Sequence, residues 1–434
     1  VETKQLQVSL FYSRVKGNGQ GGRSKKSTAL KDQKVALLGP FGFGNLGDAA
    51  IQQAMISGIR RVLPQSEIVG ISLNPADTEK RHGIKCLPIS RRPGEGGSMA
   101  ENTSASPSRR VFKKRYHIIA RIMLEFVIVW RSFINFRGFG YLIISGGGQL
   151  DDYWGGAFSH PYTLLKWTTI ARLKGAKVCF VSVGAGPINS GMSVRFLKIA
   201  LSLSHYRSFR DKESRALLAR FGFDRDDPVY PDLAHSLVVP SGKKNENKDS
   251  IWVGIGPMPY FREGAWPEAD PIVYESYIAR LSEFIRWLIH TGASIRFLPG
   301  VVGADSDVIR DLIARFQDLD LHGRVVTNRI ESVDDLLHEL SETDVVVASR
   351  FHGVLLSHVA HKPVLALSYH PKVENLMGEM GHEEYCLSID DFSVAQLKTT
   401  FEKMKVNRCT LSEQIQQKEA VYRTDLERQL HSVF

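Results

Sequence analysis

Val345-Val346-Val347-Ala348-Ser349-Arg350-Phe351-His352-Gly353 is the stretch on which the fold turns. Its apolar opening reads as a buried parallel strand, and the strand ends in a turn with a guanidinium and an imidazole two residues apart. A helical run, 354–361, follows. In open α/β sheets ligands bind beyond the carboxyl ends of the strands, where loops and helix N-termini converge. Arg350 and His352 in such a turn can hold an anion and move a proton. The next strand, 363–368, closes in a second turn of the same kind, Tyr369-His370-Pro371-Lys372. A surface Arg and a packed His explain one strand end equally well. The same chemistry at two consecutive strand ends favours a site.

Strand and helix alternate upstream of this stretch. Strands at 251–255, 294–298 and 324–327 are separated by helices at 272–290, 306–316 and 333–340. Before the polar linker 241–249 the pattern runs through strands 34–39, 67–73, 140–145, 177–183 and 206–209. The helix after the first strand carries Ile51, Met55, Ile59 and Val62 on one face, with Asp48 read as its N-cap. This alternation predicts an α/β protein of two doubly wound, Rossmann-like domains facing across a cleft. Their expected bounds are 34–240 and 250–390, with helical residues 391–434 packing back on the first.

The length of 434 residues also fits two domains better than one. Cys86, Cys179, Cys386 and Cys409 are scattered without CxxC spacing, which points to a reducing, cytoplasmic compartment and away from structural zinc. The chain opens on the polar Val1-Glu2-Thr3-Lys4, without an apolar signal. Its net charge of +10 is uneven: residues 1–33 carry +5 and residues 80–116 carry +8, which leaves −3 for the rest. The basic tail 1–33 reads as disordered and 88–116 as a mobile insertion. A nearly neutral globular body argues against nucleic acid as a partner. The basic segments suit an anionic membrane surface or polymer instead. Residues 117–136 form a very apolar helix after that basic run, broken by Arg121, Glu125 and Arg131. It is a poor membrane span, and two readings remain open: a helix lying on a membrane surface, or one packed on the sheet.

Several strand ends carry glycine-rich turns. Gly42, Gly44 and Gly47 allow close backbone approach to a ligand at a helix N-terminus, although neither GxGxxG nor GK[ST] spacing is present. Gly146-Gly147-Gly148 forms a second such turn, followed by Asp151 and Asp152. Without a matching His or carboxylate cluster these two read as solvated turn residues, and no metal site is expected. Arg210, at another strand end, can clamp a carboxylate or pair with Asp211 or Glu213 on the surface. No GxSxG elbow or HExxH pair occurs.

Taken in order, Asn45-Leu46-Gly47-Asp48, Gly146-Gly147-Gly148, Gly184-Ala185-Gly186-Pro187, Arg210-Asp211 with Ser214, Tyr230-Pro231-Asp232, Ser349-Arg350-Phe351-His352-Gly353 and Lys372 resemble the polysaccharide pyruvyl transferase family. The resemblance covers about residues 34–380 and implies a glycosyltransferase-B-like fold. It also implies transfer of a pyruvyl unit from phosphoenolpyruvate onto a sugar as a ketal, with no separate cofactor. His352 and Arg350 are then the expected catalytic residues. Arg210, Lys372, Gly44, Asn45, Gly47, Asp48, Gly147, Gly148 and Gly186 are the expected substrate-binding residues. The donor carries a carboxylate and a phosphate, so its pocket wants fixed cations, for which Arg210, Arg350 and Lys372 stand ready. His352, with a pKa near the operating pH, can serve the departing phosphate or a sugar hydroxyl. The expected acceptor is a hexose of an exopolysaccharide or cell-wall glycan, lipid-linked at the inner face of a membrane. The tail, the insertion and Tyr230-Pro231-Asp232-Leu233, where Asp-Pro is commoner, depart from the family pattern. They bear on the acceptor more than on the chemistry. A nucleotide-sugar glycosyltransferase and a non-catalytic glycan-binding protein of the same fold are the rival readings.

Overall fold

The computed structural model describes residues 34–90, 123–153, 155–240, 242, 251–266, 268–318, 321 and 323–434. The basic tail, nearly all of the 88–116 insertion and most of the 241–249 linker lie outside the described residues. The insertion starts later than its composition suggests. Pro88 ends a strand, and Ile89 is buried, with its carbonyl accepting from Trp167 Nε1 at 3.0 Å.

The first half is a seven-stranded sheet whose described pairings are all parallel. Its strands are β1 (Lys34–Leu38), β2 (Ile68–Ser72), β3 (Lys85–Pro88), β4 (Phe139–Ser145), β5 (Gly148–Leu150), β6 (Lys177–Ala185) and β7 (Tyr206–Phe209). They lie in the order β3-β2-β1-β4-β6-β5, with β7 also on β6. The helices are α1 (Leu46–Val62), α2 (Pro75–His82), α3 (residues 123–135), α4 (His160–Leu173), α5 (Gly191–Ser202) and α6 (Lys212–Arg220). Alternation along the strands divides the core. Val35, Leu37, Tyr141 and Ile143 face α1, whereas Ala36, Leu38, Leu142 and Ile144 face α4 and α5.

The second half is a six-stranded parallel sheet in the order β10-β9-β8-β11-β12-β13. Its strands are β8 (Trp252–Gly256), β9 (Ser294–Phe297), β10 (Val325–Val326), β11 (Val345–Ala348), β12 (Val364–Ser368) and β13 (Cys386–Ser388). Helices α7 (Pro271–His290), α8 (Ala304–Ile313), α9 (Val333–Ser341), α10 (Phe351–Val359) and α11 (Pro371–Met380) cover it. The 40-residue α12 (Val394–Val433) spans both halves. Phe401 packs on Phe284 and Trp287 of α7, while Phe434, just past the helix, meets Tyr141 of β4.

Strand order reverses between β1 and β4 in one sheet and between β8 and β11 in the other. These are the switch points at which parallel sheets open a crevice. The two crevices meet through main-chain contacts. Leu46 N donates to Gly300 O at 2.9 Å, and Val302 N donates to Gly44 O at 2.9 Å. Asn45 and Val301 form an antiparallel bridge between them.

Candidate active site

A cavity of about 170 Å³ lies where the two crevices meet. Asn45, Gly47 and Asp48 reach it from the start of α1, Gly148 from β5, and Arg210 from the end of β7. The second half supplies Gly300, Arg350, Phe351, His352, Tyr369 and Lys372 from the ends of β9, β11 and β12. Of the residues expected from the sequence, eight line the cavity together: Asn45, Gly47, Asp48, Gly148, Arg210, Arg350, His352 and Lys372.

Asp48 does not cap α1. Asn45 does, its Oδ1 accepting from Gly47 N at 3.0 Å and from Asp48 N at 3.4 Å. Asn and Asp are nearly equivalent caps, so composition alone could not choose between them. The outcome leaves Asp48 free in the first turn, with its carboxylate turned into the cavity and Asn45 Nδ2 donating to Oδ2 at 2.9 Å. Burial raises its pKa to about 6. Lys372 and Arg210 oppose this shift and Asp232 adds to it.

Arg350 occupies the N-cap position of α10 without a side-chain cap bond, which leaves the amides of that helix start facing the cavity. Its guanidinium is not a free anion clamp. Nε donates to both oxygens of Asp305 at 3.0 and 2.8 Å, and Nη2 donates to Oδ1 at 2.6 Å. Asp305 is fully buried and also accepts from Gly300 N and Val301 N, at 2.8 Å each. Arg350 therefore fixes the loop that meets α1.

His352 packs against the backbone of Gly47, so closely that a methyl group there would overlap the imidazole. Its Nε2 lies 3.9 Å from Asp232 Oδ2 and has no hydrogen-bond partner among the described residues. Burial lowers its pKa to about 4. Asp232 pulls the other way, while Arg210 and Lys372 add to the lowering. The sequence reading expected a pKa near the operating pH. The free protein holds a neutral imidazole instead, because desolvation and two cations outweigh one carboxylate.

Arg210 Nη1 reaches Asp232 at 3.5 Å and its Nε reaches Asp211 at 3.4 Å, while its guanidinium sits 4.9 Å from the centre of the Phe351 ring. Lys372 Nζ lies over the rings of Phe351 and Tyr369, 5.7 and 5.5 Å from their centres. Among the described residues no ion pair engages it, so it is the cation most available to a ligand.

Three expected residues stand outside the cavity lining. Gly44 backs onto Val302 at the junction of the two halves. The Gly147 carbonyl accepts from Gly184 N at 2.7 Å, and Gly186 packs on Asp151. Nor is Asp152 a solvated turn residue. It is buried and accepts from Asn189 N, Ser190 N and Ser193 Oγ at 2.8–3.1 Å, which fixes the start of α5. No described group of three or more His, Cys, Asp or Glu can hold a metal ion.

Two carboxylates escaped the sequence reading as site residues. Asp232, three per cent exposed, sits between Arg210 and His352. Its only signal was its place in Tyr230-Pro231-Asp232, behind a segment that bridges β7. Asp305 had no signal beyond an acid in the first turn of a helix.

Comparison with known proteins agrees with this layout. The search of curated proteins finds no match. Among solved structures, Anabaena HepE in complex with UDP and glucose aligns with a TM-score of 0.52 at 12% identity, over 92% of this chain and 100% of that one. The UDP-GlcNAc 2-epimerase from Neisseria meningitidis aligns with a TM-score of 0.54 at 9% identity, over 92% and 99%. A further UDP-N-acetylglucosamine 2-epimerase gives 0.55 at 13% identity, over 89% and 91%. These likenesses establish the glycosyltransferase-B type of fold. Polysaccharide pyruvyl transferase is the family model that matches, over residues 45–371, which include all the cavity-lining side chains except Lys372. The chain belongs to the polysaccharide pyruvyl transferase family.

Proposed function

We propose that the protein transfers a pyruvyl group from phosphoenolpyruvate to a hexose of an exopolysaccharide or cell-wall glycan, forming a ketal. The observation that carries this reading is the grouping of Lys372, Arg210 and the open α10 N-terminus around His352 and Asp48. A small, multiply charged anionic donor suits such a cavity, since cations and amide dipoles offset its phosphate and carboxylate.

In the reaction a proton adds to the methylene carbon of the donor, and positive charge develops at C2. Two sugar hydroxyls form bonds to that carbon, the C2–O bond to phosphate breaks, and the hydroxyl protons balance the new methyl C–H and the released hydrogen phosphate. Donor binding brings negative charge beside His352 and raises its pKa from about 4, so the imidazole takes up a proton with the donor. His352 then gives that proton to the reacting donor. Asp48, ionised above pH 6, accepts a proton from an attacking hydroxyl. Asp232 steadies the imidazolium, and Arg210 and Lys372 hold the departing phosphate. No cofactor enters this scheme, because the donor itself carries the transferred carbon unit.

The likeness to UDP-sugar enzymes keeps one rival in play, a nucleotide-sugar-dependent glycosyltransferase. Incubating the protein with a saccharide acceptor and either phosphoenolpyruvate or nucleotide sugars distinguishes them. The expected result is phosphate release and a pyruvyl ketal in the mass spectrum of the glycan. Both should fall about a hundred- to ten-thousand-fold in His352→Ala. Nucleoside diphosphate release without a ketal would replace this reading with the rival.

A further inference from the structure

The helix α3 is mounted inside out. Met123, Phe126, Val127, Trp130 and Ile134 recur at helical spacing on one face, and that face points to solvent. Phe126 is 66% exposed and Trp130 58%. The polar residues turn inward: Ser132 is buried, and Glu125 meets the buried Lys166 of α4 at 3.2 Å. A buried ammonium requires a counter-charge, so this ion pair sets the rotation of α3 about its axis. Phe133 beneath Lys174, and Phe136 stacked on Phe139 at 4.6 Å, hold the same rotation at the other end. An ordinary surface helix buries its apolar stripe. Here the packing presents that stripe outward.

The stripe also has a direction. Glu125 meets Lys166 in the first half of α4, and Phe133 meets Lys174 just past the end of α4. The two helices therefore run parallel, and both begin at the carboxyl edge of the first sheet, where the cavity opens. The loop leading into α4 adds Phe158, 74% exposed, which touches Tyr162 and Phe196. Exposed Arg131 and Arg137 flank the stripe. In sequence, Arg109, Arg110, Lys113, Lys114, Arg115 and Arg121 immediately precede it. An apolar stripe rimmed by Trp and Phe, with a run of basic residues and no acid opposing it, complements an anionic lipid surface. No described helix is long and apolar enough to cross a membrane.

We infer that the outward face of α3 docks the protein on the headgroup region of an anionic bilayer, with the mouth of the cavity beside the membrane. From the proposed function this takes only the glycan acceptor, in the lipid-linked form expected from the sequence. The docking itself is tested without turnover. The full chain is floated with vesicles of phosphatidylglycerol and phosphatidylcholine at low salt, with brominated lipid present to quench tryptophan. Wild type should float, and the quenching should be lost in Trp130→Phe. The pair Phe126→Glu with Trp130→Glu should partition about tenfold less while melting at the same temperature, since both side chains are already in water. Raising the salt should weaken the binding. Wild type that stays with the soluble fraction overturns the inference, as does a double variant that floats as well as wild type. A wild-type dimer that the double variant splits into monomers would assign the face to a second copy instead. Flotation without ketal formation would retire the proposed chemistry and leave the docking intact, and the reverse result would do the opposite.

Discussion

Gly47 and His352 come from different halves of the molecule and touch without room for a methyl group. Gly47→Ala therefore has to displace the imidazole or strain the first turn of α1, at a cost of about 1–3 kcal/mol. Turnover should fall nearly as far as in His352→Ala; steady-state kinetics beside a thermal melt check this. Asp48 offers a test in pH. Its pKa is raised from the ordinary 3.8 to about 6, so folding favours the protonated form. The ionised carboxylate costs stability above pH 6, and the cost shrinks as pH falls through 6 and vanishes below 3.8. Asp48→Asn should therefore be more stable than wild type at pH 7–8, by on the order of 1–2 kcal/mol after allowance for the open cavity, and should lose this advantage at pH 4. The same variant should lose activity. In wild type, kcat at saturating donor, where His352 already carries its proton, should rise with pH as Asp48 ionises, and a kcat without such a rising limb would remove Asp48 as the base. At this scale the sequence displayed Arg350, His352, Arg210 and Lys372 because each stands at a strand end, where chemistry collects. It hid Asp305 and the role of Asp232, because a buried carboxylate acts through partners far along the chain.

Elements were legible where apolar periodicity was strong, as in β4, β6, α7 and β11. The short edge strands β3, β5 and β13 were not, since three or four residues carry too little pattern. The sequence also left the setting of α3 open. Its rotation depends on Lys166, 41 residues away, and no local pattern encodes that partner. The end of α12 makes a comparable long-range contact. Gln429 Nε2 donates to Ser182 Oγ and Ser208 Oγ at 2.8 Å each, in a fully buried position, and Ser182 holds a φ of +48° there. Gln429→Leu should cost about 1–3 kcal/mol by taking the amide partner from Ser182 Oγ and one donor from Ser208 Oγ. A urea unfolding curve will show this as a lower midpoint with an unchanged slope.

For the whole molecule, two parallel sheets were legible from the strand–helix alternation and their facing across a cleft from the family resemblance, but the contacts that join them were not. The halves meet through main-chain bonds between residues 44–46 and 300–302, which have no side-chain signature. Gln53 of α1 adds a bond to Asp334 of α9 at 2.7 Å, and Arg81 of α2 reaches the carbonyl of Glu331. Asp305 governs the principal junction, because it holds both the 300–301 amides and Arg350. Asp305→Ala should cost roughly 3 kcal/mol or more by stranding the guanidinium and freeing the loop. It should also weaken phosphoenolpyruvate binding, although Asp305 itself does not line the cavity. Calorimetry of donor binding, paired with a melt, separates the two effects. Unchanged donor affinity would make the junction a purely structural clasp.

Gln429 fills a seat in the first sheet that was made 247 residues earlier. A ribosome adding about 5–20 residues per second takes roughly 12–50 s to span that interval. Throughout it the nascent first sheet has Ser182, Ser208 and Tyr141 without the helix that covers them. The amino-terminal half should thus lean on chaperones until the carboxyl-terminal helix arrives, and ribosomes stalled ahead of α12 should display a half-finished domain open to proteolysis.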